Sequence, residues 1–211
     1  MLMAFDFDGT LSASEMTVLL AEEAGVAEAV ALVTERAMND EIDYATSLRE
    51  RAALLEGLPA DAVERAFERV ELRPGAAEVL TALRGADHRV AVLTGGFVRG
   101  VEAALDRAGT GVDDLVANRL PTTAAGALDG TVDGPLVEGT KDDALAELAT
   151  RAGIPPSETV AVGDGANDRP MLRIAGTAVG YDPRPAVEPV CDETVHSMAD
   201  LHTLFENRGL L

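Results

Sequence analysis

The sequence predicts an α/β fold, a parallel sheet with helices on both faces and a small helical segment inserted after the first strand. Two observations predict the sheet. The chain opens with an apolar run from Met1 to Phe7, and from residue 73 onward strand-like and helix-like segments alternate, which is typical of parallel sheets. A third observation predicts the insertion, because residues 12–72 are rich in Ala, Glu, Leu and Val at helical spacing. We therefore expect a core of residues 1–11 and 73–211, interrupted by a helical domain of residues 12–72.

Each element follows from its local pattern. The first strand ends at the turn residues Asp8-Gly9-Thr10. Turn and cap residues near Gly25, at Asn39-Asp40 and at Gly57-Leu58-Pro59 divide the insertion into short helices. An Asp-Gly pair predicts a hairpin within residues 127–132. The other expected elements are helices at 76–85, 98–108, 141–152, 169–175 and 198–207, and strands at 89–93, 115–118, 159–162 and 177–179.

Length and composition limit the class of protein. The chain has 211 residues, of which 47% are hydrophobic and 26% charged, as in water-soluble globular domains. A membrane-spanning helix needs about 20 apolar residues, and the apolar runs here are short and broken by charge. The first residues lack a secretory signal pattern, so we expect a cytoplasmic protein. One cysteine, Cys191, excludes an internal disulfide and, with three histidines, a sulfur-rich metal site.

The charge of the chain excludes two kinds of partner. Asp and Glu number 37 against 17 Lys and Arg, for a net charge of −20. Such a surface repels phosphate backbones and anionic lipids, so neither nucleic acid nor membrane is an expected partner. The acid excess resembles that of proteins from salt-accumulating microbes. Lys141 is the only lysine, and because arginine does not reproduce a compact ammonium charge, we expect this lysine to have a specific role.

Three loops should carry the chemistry, because an open parallel sheet binds ligands at the carboxyl ends of its strands. These loops follow Phe7, Leu93 and Val162. The first holds Asp6 and Asp8, and the last reads Gly163-Asp164-Gly165-Ala166-Asn167-Asp168. Carboxylate and carbonyl oxygens select magnesium. The alternatives are an Asp-Gly turn and an Asx-rich connector, but the position of both loops at strand ends favours a metal site.

The middle loop is an expected anion site. Thr94-Gly95-Gly96 precedes the helix that begins near Val98, and backbone N–H groups at a helix start bind negative charge. Lys141 also stands at the start of a predicted helix, where the helix dipole disfavours a cation. A nearby anion would explain this position, and the alternative is a solvated surface lysine.

These segments, taken in order, resemble the four motifs of the haloacid dehalogenase superfamily. They are D-F-D-G-T at 6–10, T-G-G at 94–96, Lys141, and G-D-G-A-N-D at 163–168. The resemblance implies a Rossmann-like core, a type 1 cap formed by residues 12–72, and phosphoryl transfer through an aspartyl-phosphate. It disfavours dehalogenation, because dehalogenases lack the second aspartate of the first motif, here Asp8.

The resemblance also implies a role for each motif residue. Asp6 would be the nucleophile and Asp8 the general acid and base. Mg²⁺ would be held by the Asp6 carboxylate, the Asp8 backbone carbonyl and Asp164. Thr94, the Gly95 N–H and Lys141 would bind the phosphate. Asn167 would contact the phosphate or its cap-side neighbours. Asp168 would orient Lys141 or the metal-bound waters.

Within that superfamily the sequence is similar to those of the phosphoserine phosphatase family. The similarity rests on Glu15, on Ser47-Leu48-Arg49-Glu50-Arg51 and on Ala117-Asn118-Arg119, with Gly9 and Thr94 as departures where serine is common. It implies a small phosphomonoester, O-phospho-L-serine, as the substrate and a place in serine biosynthesis. We also expect a monomer or homodimer. Arg51 would bind the carboxylate and Glu15 the ammonium, with Met38 and Tyr44 as a candidate apolar wall.

Other interpretations stay open at this point. Three of these residues of the inserted segment have a structural alternative. Arg51 could be an exposed helical arginine paired with Glu50 or Glu56. Glu15 could be an ordinary first-turn acid, and Met38 a core residue. A related phosphatase or phosphotransferase acting on phosphoethanolamine, phosphoglycolate or a homoserine acceptor is the functional one. A noncatalytic phospho-ligand sensor is disfavoured, because it would not need both Asp6 and Asp8.

Overall fold

The computed structural model describes residues 1–39 and 41–211, and in these residues six strands form one parallel sheet. The strand order is β3-β2-β1-β4-β5-β6, so the first strand lies inside the sheet with β2 and β4 beside it. This confirms the predicted α/β class. The strands are β1 (Leu2–Phe5), β2 (Arg89–Phe97), β3 (Asp114–Asn118), β4 (Thr159–Gly163), β5 (Thr177–Tyr181) and β6 (Glu193–Val195).

Helices cover the sheet and make up the inserted segment. Those of the insertion are α1 (Met16–Ala24), α2 (Ala27–Met38), α3 (Tyr44–Ala53) and α4 (Ala60–Glu68). Those of the core are α5 (Ala76–Gly85), α6 (Val98–Arg107), α7 (Pro135–Glu138), α8 (Lys141–Ala152), α9 (Arg169–Ile174) and α10 (Met198–Asn207). No helix of the described residues is long and apolar enough to cross a bilayer.

Alternate residues of β1 pack on opposite faces of the sheet. Met3 and Phe5 belong to one buried cluster, and Leu2 and Ala4 to the other, as the two-residue period of a strand requires. Both clusters are fully apolar at this strand, which is the pattern of a parallel sheet covered on both sides. Phe5 is in register with residues of β2 and β4, so the next residue, Asp6, emerges between the ends of two neighbouring strands.

The inserted segment leaves and rejoins the core at one place. Ser12 forms an antiparallel bridge with Leu72, and the Ser12 hydroxyl donates a hydrogen bond of 2.9 Å to the carbonyl of Glu71. The two ends of the insertion therefore lie side by side. We propose on this basis that residues 12–72 are a cap domain on a core of residues 1–11 and 73–211.

Three local expectations need correction or extension. The predicted hairpin at 127–132 is wrong: the bridges join Thr122 to Leu128 and Arg119 to Asp133, while the Asp129 carboxylate accepts a hydrogen bond from the Thr131 N–H and forms a local turn. The expected loop after Leu93 is instead part of β2, with a register shift against β3. The short elements α7 and β6 were not predicted. Asn39 ends α2 as expected, and Asp40 lies outside the described residues.

Candidate active site

The four predicted segments meet at the carboxyl edge of the sheet. Asp6 follows β1, Thr94 lies on β2, Asp164 follows β4, and Lys141 begins α8. Asp6, Thr94 and Lys141 are at most 3% exposed, and Asp168 is fully buried. Buried charges are rare unless they are paired, so their pairing shows how the site is built.

Lys141 is the cation of this cluster. Its Nζ donates hydrogen bonds to Asp6 Oδ1 and, at 2.6 Å, to Asp168 Oδ1. Burial alone would lower the pKa of Lys141, but the carboxylates of Asp168 and Asp6 outweigh it and the pKa is raised. The ammonium therefore stays charged at neutral pH. This pair of carboxylates is the nearby anion that explains the position of Lys141 at the start of a helix.

Asp168 fixes both the lysine and the loop after β4. Its second oxygen, Oδ2, accepts hydrogen bonds from the N–H groups of Asp164 (2.9 Å) and Gly165 (2.8 Å). Gly163 makes this contact feasible, because a β-carbon there would lie 2.6 Å from Asp168 Cβ. Both carboxylate oxygens of Asp168 are thus engaged by the protein, which fits a positioning group better than a metal ligand.

The donor set fits a hard divalent cation. Carboxylate oxygens of Asp6, Asp164 and Asp168 lie within 4.8 Å of one another. Burial, and then neighbouring carboxylates, raise the pKa values of Asp6 and Asp164, so a cation here would relieve a real electrostatic cost. Gly9, at φ 91°, leaves the space: a β-carbon would lie 2.6 Å from Asp164 Oδ1. The Thr10 hydroxyl holds the same oxygen at 3.2 Å.

Asp8 has a different environment from Asp6. Its Oδ1 is buried and has no hydrogen-bond partner among the described residues. Burial first, and the charge of Glu15 second, raise the pKa of Asp8. Its carboxylate lies outside the group of three that could hold a metal in the described part of the chain. A carboxyl group that favours its protonated form and faces the cavity is suited to donate a proton.

The bulged end of β2 is held by Asn118, whose role the sequence did not reveal. Its Nδ2 donates to the Gly95 carbonyl (3.1 Å), and its Oδ1 accepts from the Leu136 N–H (3.0 Å). The Thr94 hydroxyl accepts from the Gly96 N–H at 2.9 Å. Asn118 was part of a noted motif, but its contact with Gly95 is visible only in the fold.

A cavity of about 390 Å³ opens above these residues. Lys141 and Asp168 lie behind its wall, where they contact Asp6 and the loop after β4. The sequence-predicted site residues that line the cavity are Asp6, Asp8, Glu15, Arg51, Thr94, Gly95, Asp164 and Asn167, together with Met38 and Tyr44.

The inserted segment supplies one wall of this cavity. Arg51 Nε donates to the Ser47 carbonyl at 3.2 Å, and Glu50, its suggested alternative partner, pairs instead with Arg36 at 2.6 Å. Met38 is 65% exposed, so it is a wall residue and not a core residue. The expected apolar wall is therefore present, beside an arginine that faces the cavity.

Arg184 is a cavity residue that sequence reasoning missed. It follows β5, its backbone N–H donates to the Asp164 carbonyl at 3.0 Å, and its Nε lies 3.9 Å from Asp164 Oδ2. Only its position after a strand end could have drawn attention to it. A second guanidinium thus borders a cavity whose other charged groups are mostly carboxylates.

Comparison with known proteins decides the family. The model of the haloacid dehalogenase-like hydrolases matches residues 3–173. The chain belongs to this family. A phosphoserine phosphatase of Halobacterium salinarum is 54% identical over 209 residues, 99% of both chains. One of Methanocaldococcus jannaschii is 38% identical over 90% of both chains. One of Mycobacterium tuberculosis is 40% identical over 92% of this chain, which spans 47% of that longer relative.

Solved structures of this hydrolase family show the same architecture. A phospho-aspartyl intermediate analogue of a phosphoserine phosphatase superposes with a TM-score of 0.87 at 35% identity, covering 96% of this chain and 97% of that one. A substrate-bound phosphoserine phosphatase gives the same TM-score and identity over 98% and 97% of the two chains. The likeness covers the core and the inserted segment together.

Proposed function

We propose that the protein hydrolyses O-phospho-L-serine to L-serine and phosphate. The observation that carries the proposal is a single cavity in which three of the four motif segments meet Arg51 and Glu15 from the inserted segment. The fourth motif residue, Lys141, lies behind the cavity wall and contacts Asp6. Relatives that match 99% and 90% of the chain are phosphoserine phosphatases. The cytoplasmic location, the place in serine biosynthesis, adaptation to high salt and the monomeric or homodimeric state stay predictions from the sequence.

We propose Mg²⁺ as the metal, held by the Asp6 and Asp164 carboxylates and the Asp8 backbone carbonyl. When bound, it supplies positive charge between the anionic carboxylate and the anionic phosphate. Asp164 is well placed for this role, because the Gly9 turn and the Thr10 hydroxyl fix its Oδ1. Asp168 supports the site from behind by holding the Asp164 N–H and Lys141.

In the first step an Asp6 carboxylate oxygen attacks phosphorus. The bond between phosphorus and the serine oxygen breaks as the Asp6–phosphate bond forms, and Asp8 gives its proton to the departing oxygen. Lys141, which contacts Asp6 Oδ1, neutralises charge that spreads over the phosphate oxygens in the transition state. Thr94 and the Gly95 N–H would bind those oxygens from the end of β2.

In the second step Asp8 acts as a base. Its carboxylate takes a proton from a water molecule whose oxygen attacks phosphorus, and the bond to Asp6 breaks, which releases phosphate and restores Asp6. Asn167, on the cavity wall, would contact the phosphate through both steps. The covalent route divides one difficult displacement into two easier ones.

The inserted segment would select the amino acid. Arg51 has the planar fork that binds a carboxylate at two points. Glu15 is an acidic group that lines the same cavity and would bind the ammonium. A site with both partners disfavours phosphomonoesters that lack either charge, because Arg51 or Glu15 would then lack its partner in the ligand.

A panel of phosphomonoesters assayed with Mg²⁺ at high salt tests the proposal. We expect phosphoserine to exceed phosphoethanolamine and phosphoglycolate in kcat/KM by about 100-fold or more. Arg51→Ala should raise KM for phosphoserine and reduce the preference for phosphoserine over the other two esters. Arg65→Ala is the matched control, because Arg65 is an exposed arginine of α4 that pairs with Asp61. Equal rates on phosphoserine and phosphoethanolamine, or an unchanged KM in Arg51→Ala, would contradict the proposal that Arg51 binds the carboxylate of the substrate.

A further inference from the structure

The phenol of Tyr44 enters the candidate active site from the inserted segment. Tyr44 begins α3 and is 41% exposed as a whole. Its hydroxyl end nevertheless lies against the Gly95 backbone, so close that a β-carbon at residue 95 would overlap it. The sequence suggested only an apolar wall for this residue, which leaves the polar end of the ring without a role.

The Tyr44 hydroxyl has no hydrogen-bond partner within its own helix. The side-chain hydrogen bonds of α3 and its cap are made by Asp43, Arg49, Glu50 and Arg51, and among the described residues none of these engages Tyr44. A hydroxyl that is partly withdrawn from water and has no partner carries a free-energy cost. Such a group at the edge of a binding cavity is expected to find its partner in the ligand.

The surroundings of the hydroxyl indicate an anion as that partner. Burial raises the pKa of Tyr44, so the phenol keeps a proton to donate at neutral pH. Of the charged groups that act on it, the cations of Lys141 and Arg51 have a larger effect than the carboxylates of Asp6 and Asp8. Beside it, Gly95 carries the backbone N–H that we place on the phosphate. A phosphate oxygen bound at Gly95 would therefore lie within reach of the Tyr44 hydroxyl.

We propose that the Tyr44 hydroxyl donates a hydrogen bond to a non-bridging oxygen of the bound phosphate. The proposal rests on the proposed function only in requiring a phosphomonoester ligand, not in the choice of phosphoserine. That oxygen is present in the substrate and in the phosphate product alike. The contact therefore stabilises ground state and transition state equally, which changes binding and leaves the chemical step unchanged.

Tyr44→Phe tests this directly, because it removes one oxygen atom and keeps the ring. A hydrogen bond to a charged group is strong enough for a change of about tenfold. We expect the inhibition constant of inorganic phosphate and the KM for phosphoserine each to rise about tenfold, with kcat within about twofold. Calorimetric titration of the wild type and of Tyr44→Phe with inorganic phosphate and Mg²⁺ should show the same loss of phosphate affinity, measured without turnover.

The chain offers a matched control, since its two tyrosines are Tyr44 and Tyr181. Tyr181 is buried at the end of β5, and Tyr181→Phe should leave phosphate affinity unchanged. Unchanged phosphate affinity in Tyr44→Phe would overturn the proposal. So would a higher KM with unchanged phosphate inhibition, which would place the hydroxyl on the serine part. If the wild type prefers another phosphomonoester, the proposed function fails, but the phosphate titration still decides the role of Tyr44.

Discussion

At the scale of single residues, Asp6 combines burial, charge and contact with the only lysine. Asp6→Asn keeps the volume and one acceptor oxygen for Lys141 but removes the nucleophile. We expect kcat to fall by about 10⁴-fold or more while the protein remains folded. Steady-state kinetics and thermal unfolding measure the two effects. Asp6→Ala guards against slow deamidation of the variant, and turnover within tenfold of wild type in both variants would refute the covalent role.

Asn118 is expected to act through Gly95. Asn118→Asp keeps the acceptor for the Leu136 N–H but replaces the donor to the Gly95 carbonyl with a buried carboxylate. The free energy of unfolding should fall by about 1–3 kcal/mol, and kcat/KM should fall because the Gly95 backbone shifts. Urea unfolding and kinetics provide the measurement. Asn207→Asp, the same exchange at the exposed end of α10, should change stability by less than about 0.5 kcal/mol.

The residues that the sequence revealed differ physically from those it did not. Asp6, Asp8 and Asp164 lie next to strand ends, so one-dimensional pattern and the geometry of parallel sheets together predict their meeting. Asn118 contacts a backbone carbonyl of β2, and Arg184 contacts one in the loop after β4. Such partners depend on sheet order and on a local bulge, and neither is encoded in the spacing of residues along the chain.

At the scale of elements, α3 carries Tyr44 and Arg51 and begins at an aspartate cap. Asp43 accepts a hydrogen bond of 2.7 Å from the Thr46 N–H, and this bond lowers the pKa of Asp43. Because the native pKa lies below that of the unfolded chain, the charge contributes stability above about pH 4, and the contribution is lost as the pH falls through the native pKa.

Asp43→Asn isolates that charge, since asparagine also caps helices well. We expect the variant to have a lower Tm than wild type at about neutral pH, and the difference in Tm to shrink as the pH falls below about 4. Asp43→Ala, which lacks an acceptor, should have the lowest Tm of the three at neutral pH. A difference between wild type and Asp43→Asn that is constant over the whole range would show that the charge has no part.

The elements that sequence patterns predicted well are the ones with a complete apolar period. Helices α5, α8 and α10 begin and end where expected, because each has an apolar face of about three turns. The short elements α7 and β6 have four and three residues, too few to display a period. The extension of β2 through Thr94-Gly95-Gly96 also escaped prediction. Glycines favour a loop, and this stretch joins the strand only because Leu93 and Phe97, on either side of it, pair with β3.

At the scale of the whole molecule, sheet order places the chemistry. Strand β1 lies between β2 and β4, and the chain order reverses direction there, which creates the crevice in which open sheets bind ligands. The sequence predicted that loops after three strands would carry function, and those three strands are neighbours. The order itself could not be read from the sequence, because the residue pattern of a strand does not specify which strand lies beside it.

The net charge of −20 predicts how the whole molecule responds to salt. Two effects oppose each other: salt weakens favourable surface ion pairs such as Arg89–Asp114, and it also weakens repulsion among carboxylates. With 37 acidic and 17 basic residues, one-to-one pairing leaves an excess of carboxylates that have no cation. Exposed pairs contribute about 1 kcal/mol or less each, so we expect the relief of repulsion to dominate.

Thermal unfolding in KCl measures the balance. The screening length falls from about 10 Å at 0.1 M to about 3 Å at 1 M, so Tm should rise by about 5 °C or more over that interval. Potassium and sodium chloride should act alike if screening is the cause. Repeating the series near the isoelectric point, calculated as 4.3, provides the control, because there the excess negative charge is gone and the rise should largely disappear. A Tm that falls with salt at neutral pH would mean that the ion pairs, and not the unpaired carboxylates, govern the stability of this protein.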